Sequence, residues 1–120
     1  MSDPSELNKA IKAHSTWKVR LKDAVDSGSS EFSPSQVRNN DICEFGKWLN
    51  TLPSAEKALL DYQNIQPLHQ KFHVEAAKVL ELAISGQREK AHHALTDIRS
   101  EFVYTSAKLI NALADWKKKL

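Results

Sequence analysis

Residues 91–120, AHHALTDIRSEFVYTSAKLINALADWKKKL, form the longest segment with a helical pattern in this sequence. Its seam positions alternate three and four residues apart, the spacing of a helix face that packs against other helices. These positions are Ala91, Leu95, Ile98, Phe102, Thr105, Leu109, Ala112 and Trp116, with Leu120 four residues further on. Lysines occupy residues 117–119, where positive charge suits the carboxyl end of the helix dipole. The pattern predicts one long terminal helix.

The first half of the chain predicts two more helices. The first begins at the cap sequence Asp3-Pro4-Ser5-Glu6 and ends at Gly28. Residues at steps of three and four form one stripe along this helix. Its stripe consists of Leu7, Ile11, His14, Trp17, Leu21 and Val25. Residues 27–40 are rich in Ser and Asn and include Pro34, so we expect a polar loop there. A short second helix begins near Asp41, with Glu44 completing a capping box, and it stops before Pro53.

A third helical segment follows, and Ser54 can cap its start. Pro67 predicts a break or kink, because its ring removes one helical hydrogen bond. The pattern then resumes and ends at Gly86, a good carboxyl-terminal cap.

Composition agrees with a helical fold. The chain has 120 residues, of which only 3 are Gly and 4 are Pro, which is too few for the many turns of a β-sandwich. No segment alternates with the period of a strand. The sequence therefore predicts a single all-α domain over residues 1–120: an antiparallel four-helix bundle with a short additional helix that carries Cys43.

Charge and cysteine content exclude several classes of function. The net charge of +2 is too weak for a nucleic-acid footprint, and no apolar run is long enough for a membrane span. The amino terminus lacks the features of a secretory signal, and the single Cys fits a reducing compartment. These features predict a cytoplasmic protein.

Four polar residues fall within otherwise apolar helical patterns. His69 and His73 lie four residues apart, so both rings project from the same side of a helix, a spacing that suits one metal ion. His14 interrupts the stripe of the first helix, and Cys43 opens the second. Three His and one Cys facing one core would give a four-coordinate zinc site. The spacing alone also allows the alternative that these residues are ordinary members of the core.

Three blocks of this sequence together resemble the chemoreceptor zinc-binding domain family: AHSTWK at 13–18, CEFGKWL at 43–49 and LHQKFH at 68–73. The family has a His followed three residues later by an aromatic residue, a Cys-x-x-Gly-x-Trp-Leu block and a His-x-x-x-His pair. The resemblance implies that His14, Cys43, His69 and His73 are zinc ligands. It also implies a dimerising helical bundle that regulates a bacterial chemoreceptor or a diguanylate cyclase, and neither of these signalling domains occurs in the 120 residues.

Four protein ligands would leave zinc no open position for a water, so we expect a sensory domain and not an enzyme. Cys43 is the ligand that an oxidant can modify, and the signal could be either zinc itself or oxidation. We expect the helix after Cys43 to move, with Trp17, Phe45, Gly46 and Trp48 packing near the site. Gly46 lowers helix propensity there, although close packing explains it equally well.

A second function class is a hemerythrin-like di-iron oxygen-binding bundle. The His69/His73 pair matches one piece of its ligand pattern, and His92 with Asp97 resembles another. The chain lacks the required second-helix His, since no His occurs between His14 and His69. A plain interaction bundle is a third interpretation. The motifs of a hydrolase are missing from the sequence.

Overall fold

The computed structural model describes residues 4–39 and 43–119, and these ranges consist of helices and turns without any β-strand. The helices are α1 (Pro4–Ser27), α2 (Pro34–Arg38), α3 (Glu44–Thr51), α4 (Ser54–Lys57), α5 (Leu60–Ile84), α6 (Arg88–Thr96) and α7 (Glu101–Lys118). The bundle consists of α1, α5, α6 and α7, and Cys43 directly precedes the short additional helix α3. The predicted all-α bundle is confirmed.

The central helix is α5, which packs against α1, α6 and α7 and supports α2. It runs antiparallel to α7, as two ion pairs show: Asp61 at the start of α5 pairs with Lys119 just after α7 at 3.1 Å, and Lys71 further along α5 pairs with Glu101 at the start of α7 at 2.7 Å. The core between these helices contains fully buried aromatic and aliphatic side chains, including Leu7, Leu21, Ile65, Phe72, Leu80, Phe102, Leu109, Leu113 and Trp116. This core fixes the positions of α1 and α5, which carry the predicted histidines.

The terminal segment is two helices, so the prediction of one long helix was wrong. Helix α6 ends before Asp97, whose carboxylate accepts a hydrogen bond from the Arg99 backbone N–H at 2.8 Å. The Ser100 hydroxyl accepts a bond from the Val103 N–H and donates to the Ala94 carbonyl at 2.7 Å, so it caps α7 and ties it to α6. These local side-chain bonds compete with the helical pattern and end it. Ile98 is consequently 81% exposed instead of lying on the seam.

The sequence predicts a break or a kink at Pro67, and helix α5 continues through this residue without a break. Pro67 is exposed, while Ile65 and Phe72 on either side are fully buried. Loss of one surface hydrogen bond is outweighed by the packing of the flanking turns. Ser54 is the first residue of α4 and not its cap, because Pro53 occupies the cap position. Gly86 follows α5 with a φ of +83°, as predicted for a carboxyl-terminal cap.

The predicted polar loop contains the short helix α2. Its Ser33 side chain accepts from the Gln36 N–H, and the Gln36 side chain accepts from the Ser33 N–H, which is a complete capping box. The predicted caps at Asp3 and Asp41 lie outside the described residues. Helix α1 is described from Pro4 and α3 from Glu44.

None of the helices in the described ranges combines the length and apolar content that a bilayer crossing requires.

Candidate metal centre

The four residues predicted as ligands come together inside the bundle. One nitrogen from each of His14, His69 and His73 and the sulfur of Cys43 all lie within 4.8 Å of one another. His14 comes from the middle of α1, Cys43 from the residue before α3, and the His69/His73 pair from one face of α5. The three imidazoles are buried and Cys43 is half-buried. Three separate segments of chain thus converge on one point.

Hydrogen bonds to backbone carbonyls fix two of the three rings. The Nδ1 atom of His14 lies 2.7 Å from the Ala10 carbonyl oxygen, one helical turn earlier in α1. The Nδ1 atom of His73 lies 2.8 Å from the Val37 carbonyl oxygen of α2. A carbonyl only accepts, so Nδ1 carries the proton in both rings and Nε2 keeps its lone pair. Both Nε2 lone pairs are available to a metal, and this is how metal-binding histidines are generally held.

The spacing of the His69 and His73 nitrogens fits tetrahedral zinc. His69 Nε2 lies 3.1 Å from His73 Nε2. Zinc–nitrogen bonds of about 2.0–2.1 Å in tetrahedral geometry place two ligand nitrogens about 3.3 Å apart. His14 Nε2 and His69 Nδ1 are buried and have no hydrogen-bond partner among the described residues. Buried polar atoms without partners are costly, and a cation at the centre would satisfy His14 Nε2.

Burial keeps the imidazoles in the form that binds metal. Desolvation lowers the pKa of His14 to about 4 and, with help from the neighbouring histidines, lowers the pKa of His69 to about 2. Burial also lowers the pKa of His73, although the Val37 hydrogen bond opposes this shift. All three rings are therefore neutral at neutral pH and can donate a lone pair.

Aromatic side chains enclose the cluster. Phe45 of α3 meets His14 and His69 edge to face, with ring centroids 5.8 and 5.1 Å apart, and Phe72 of α5 meets His14 at 5.0 Å. Trp48 stacks on Phe45 at 5.7 Å. This apolar wall lowers the local dielectric constant beside the histidines, which strengthens any charge–dipole interaction there.

The other predicted packing residues have different surroundings. Gly46 is buried within α3. Trp17 is half-buried and packs on Phe32 at 5.3 Å, with the Arg20 guanidinium 5.0 Å from its ring centroid. Trp17 therefore flanks the approach to the cluster and makes no ring contact with its imidazoles among the described residues.

A cavity of about 500 Å³ opens beside the cluster. Cys43 and His73 line it together with apolar side chains, among them Trp17, Phe32 and Val37. A small molecule that enters this cavity meets the sulfur of Cys43.

His92 and Asp97, the second piece of the di-iron pattern, do not join the cluster. His92 is exposed, and Asp97 pairs instead with His93 at 2.7 Å and with Arg99 at 3.3 Å.

Sequence reasoning missed several contributors to the site. The Ala10 carbonyl could have been found, because a helical His reaches the carbonyl four residues earlier. Phe72 lies within the recognised block but has no motif role there. The Val37 carbonyl gave no signal, since 36 residues separate it from His73.

The family model described as the chemoreceptor zinc-binding domain matches residues 14–80. The match covers more than half of the chain, begins at His14 and includes Cys43, His69 and His73. Comparison with curated proteins and with solved structures gives no match. A metal-compatible cluster in a helical bundle and the family match agree with each other: the chain belongs to the chemoreceptor zinc-binding domain family.

Proposed function

We propose that this protein is a sensory domain that binds one zinc ion through His14, Cys43, His69 and His73. The observation that carries the proposal is the convergence of these four donor atoms within 4.8 Å, inside an apolar shell. Three imidazoles and one thiolate form a donor set that zinc favours. Bound zinc would supply a cross-link between α1, α3 and α5 and would hold Cys43 as a thiolate.

The donor set favours sensing over catalysis. Four protein ligands complete a tetrahedral site and leave no position for a reactive water. Phe45 and Phe72 cover the histidines with apolar rings, and Glu6, Lys9 and Glu44, which line the neighbouring cavity, are not part of the donor set. We therefore infer that the protein is not an enzyme.

Cys43 supports a redox input. When its thiolate attacks hydrogen peroxide, a sulfur–oxygen bond forms, the oxygen–oxygen bond breaks, and hydroxide leaves as the sulfur becomes a sulfenic acid. A sulfenic acid is a weaker metal ligand than a thiolate. The cavity that Cys43 lines gives a small oxidant a route to the sulfur. Zinc availability is the other input that the same site could report.

Helix α3 is the element that would respond. Cys43 is its cap residue and makes no side-chain capping bond, so the main side-chain anchors of α3 are Phe45, Leu49 and Trp48. Loss of the sulfur as a ligand would free the amino-terminal end of α3 to repack over the histidines, with Gly46 allowing the helix to adjust.

The family relationship supports a role in bacterial signal transduction and chemotaxis. We propose that the domain works in the cytoplasm, forms a homodimer and modulates a chemoreceptor or a diguanylate cyclase. Light scattering of the zinc-loaded protein should give twice the chain mass, and the mass of one chain would contradict the dimer.

Metal analysis tests the central proposal. Purified wild-type protein should contain one colourless zinc ion per chain, while His14→Ala and Cys43→Ala should retain much less after dialysis. His92→Ala is the matched control, because His92 is exposed and outside the cluster, and it should retain wild-type zinc. Iron with a visible absorption band, or equal zinc in all variants, would contradict the proposal.

A further inference from the structure

Two hydroxyl groups of α7 are buried without a partner. Thr105 Oγ1 and Ser106 Oγ have no hydrogen-bond partner among the described residues, and each residue is 1% exposed. Other helical threonines in this chain behave differently: Thr16 and Thr96 each donate to the carbonyl four residues earlier, both at 2.8 Å. The hydroxyl of Thr105 does not make this bond, so both its proton and its lone pairs are unused.

His69 is the one histidine of the cluster whose outer nitrogen lacks an acceptor. In His14 and His73 the outer Nδ1 donates to a backbone carbonyl, which leaves the lone pair on Nε2 for a metal. His69 has its Nε2 3.1 Å from His73 Nε2, but its Nδ1 is buried and unpartnered. A ligand histidine almost always donates its outer N–H to an acceptor.

The pairing of α5 with α7 places Thr105 at the level of His69. Lys71 pairs with Glu101, and the rings of Phe72 and Phe102 are 5.5 Å apart. From Phe72, one step of three residues towards the start of α5 reaches His69. From Phe102, one step of three residues along α7 reaches Thr105. Because the helices are antiparallel, both steps go in the same direction in space.

We propose that Thr105 is the positioning residue for His69, its hydroxyl accepting a hydrogen bond from the Nδ1–H of His69 in the zinc-loaded protein. The inference rests on the proposed function. Rotation of Thr105 about χ1, between the two rotamers that a helical Thr can adopt, presents Oγ1 to the ring. The hydroxyl proton can then bond the Glu101 carbonyl, as Thr16 bonds Lys12. Both unpartnered atoms are satisfied together, and the lone pair of His69 Nε2 is fixed towards the other ligands.

Zinc affinity measured by competition with a chromogenic chelator tests this assignment. Thr105→Val keeps the shape of the side chain and removes the hydroxyl, and it should weaken zinc binding about 10- to 100-fold. Thr105→Ser retains the hydroxyl and should restore the affinity. Ser106→Ala removes the adjacent unpartnered hydroxyl and should leave the affinity unchanged.

Nitrogen-15 NMR of the histidine rings gives a second measurement, which a purely structural role of Thr105 would not alter. In zinc-loaded wild type, the Nδ1–H proton of His69 should be protected from exchange and shifted downfield. In Thr105→Val it should exchange fast and move upfield, while the Nδ1–H signals of His14 and His73 stay in place.

The outcomes separate the two proposals. Equal zinc affinity and an unchanged His69 signal in Thr105→Val would overturn the role of Thr105 alone, as would a loss of affinity in Ser106→Ala instead. A wild-type protein that does not bind zinc would overturn the proposed function and this inference with it. Urea unfolding of Thr105→Val and Ser106→Ala shows whether a change in zinc affinity is caused by loss of the fold.

Discussion

His14 shows how the site lowers the stability of the protein when no metal is bound. Its Nε2 atom is buried without a partner, whereas its Nδ1 atom bonds the Ala10 carbonyl. That carbonyl also accepts the backbone N–H of its own helix, so removing the imidazole leaves no new unpaired atom there. The residue is therefore expected to lower the stability of the metal-free protein and raise that of the zinc-loaded one.

The substitution His14→Leu separates these two effects. Without zinc it should raise the free energy of unfolding by about 1 kcal/mol, because one buried unsatisfied nitrogen is replaced by apolar atoms. With zinc present the order should reverse, since the variant lacks one ligand. Urea unfolding in chelator and in excess zinc measures both. A metal-free variant less stable than wild type would contradict this account of His14.

Cys43 is the residue at which the redox proposal is tested. Dilute hydroperoxide should release zinc from wild-type protein, as followed with a chromogenic zinc indicator. Cys43→His is the matched control, because it retains four donors of a kind that zinc accepts and has no thiol. It should bind zinc and keep it in peroxide. Equal release from both proteins would show that the thiol is not the redox-sensitive group.

At the scale of elements, two serine caps have different relations to the site. Ser33 caps α2, whose Val37 carbonyl accepts the bond from His73. Ser100 caps α7 and ties it to α6 through the Ala94 carbonyl. The first cap stabilises a helix whose carbonyl orients a candidate ligand, and the second stabilises only the packing of α7 on α6.

A pair of matched substitutions tests this difference. Ser100→Ala should lower the free energy of unfolding by about 1 kcal/mol, the usual effect of losing a cap, and leave zinc affinity unchanged. Ser33→Ala should weaken zinc binding, because α2 is only five residues long and depends on its capping box. Unfolding curves and chelator competition on both variants give the answer. Equal zinc affinity in Ser33→Ala and Ser100→Ala would contradict a contribution of α2 to zinc binding.

Sequence patterns predicted these elements unevenly, for physical reasons. The stripe of α1 and the i, i+4 histidines of α5 follow directly from helical periodicity, so they were predicted. The break between α6 and α7 was not, because Asp97 and Ser100 end the helices through side-chain bonds that leave the seam spacing intact. At Pro67 the sequence predicts an interruption, but the helix continues there. The packing of the long helix α5 outweighs the local effect of the proline ring.

At the scale of the whole molecule, the candidate ligands belong to three segments that fold together. Binding zinc to the folded chain alone should therefore raise the free energy of unfolding, by about 2.7 kcal/mol at free zinc about 100 times Kd. Thermal or urea unfolding with and without chelator measures the change. His92→Ala should behave as wild type, and Cys43→Ala should gain much less. A wild-type protein whose stability does not depend on zinc would contradict this coupling.

The candidate ligands were easier to predict from the sequence than the groups that form hydrogen bonds with them. Each predicted ligand is a residue type that stands out on an apolar face, so His14, His69 and His73 could be found from one sequence. The Val37 carbonyl could not, because nothing in its local sequence indicates that it accepts a hydrogen bond from His73 in the folded chain.

One further consequence follows from the aromatic rings around the cluster. His69 touches Phe45, Phe45 stacks on Trp48, and Trp48 lies 5.8 Å from Trp116 in the closing turns of α7. Two intervening rings thus connect His69 to the carboxyl-terminal end of α7. Any displacement of α3 would move Trp48 against Trp116 and so change the packing at that end of α7. A covalently attached output module placed there would respond through this direct contact.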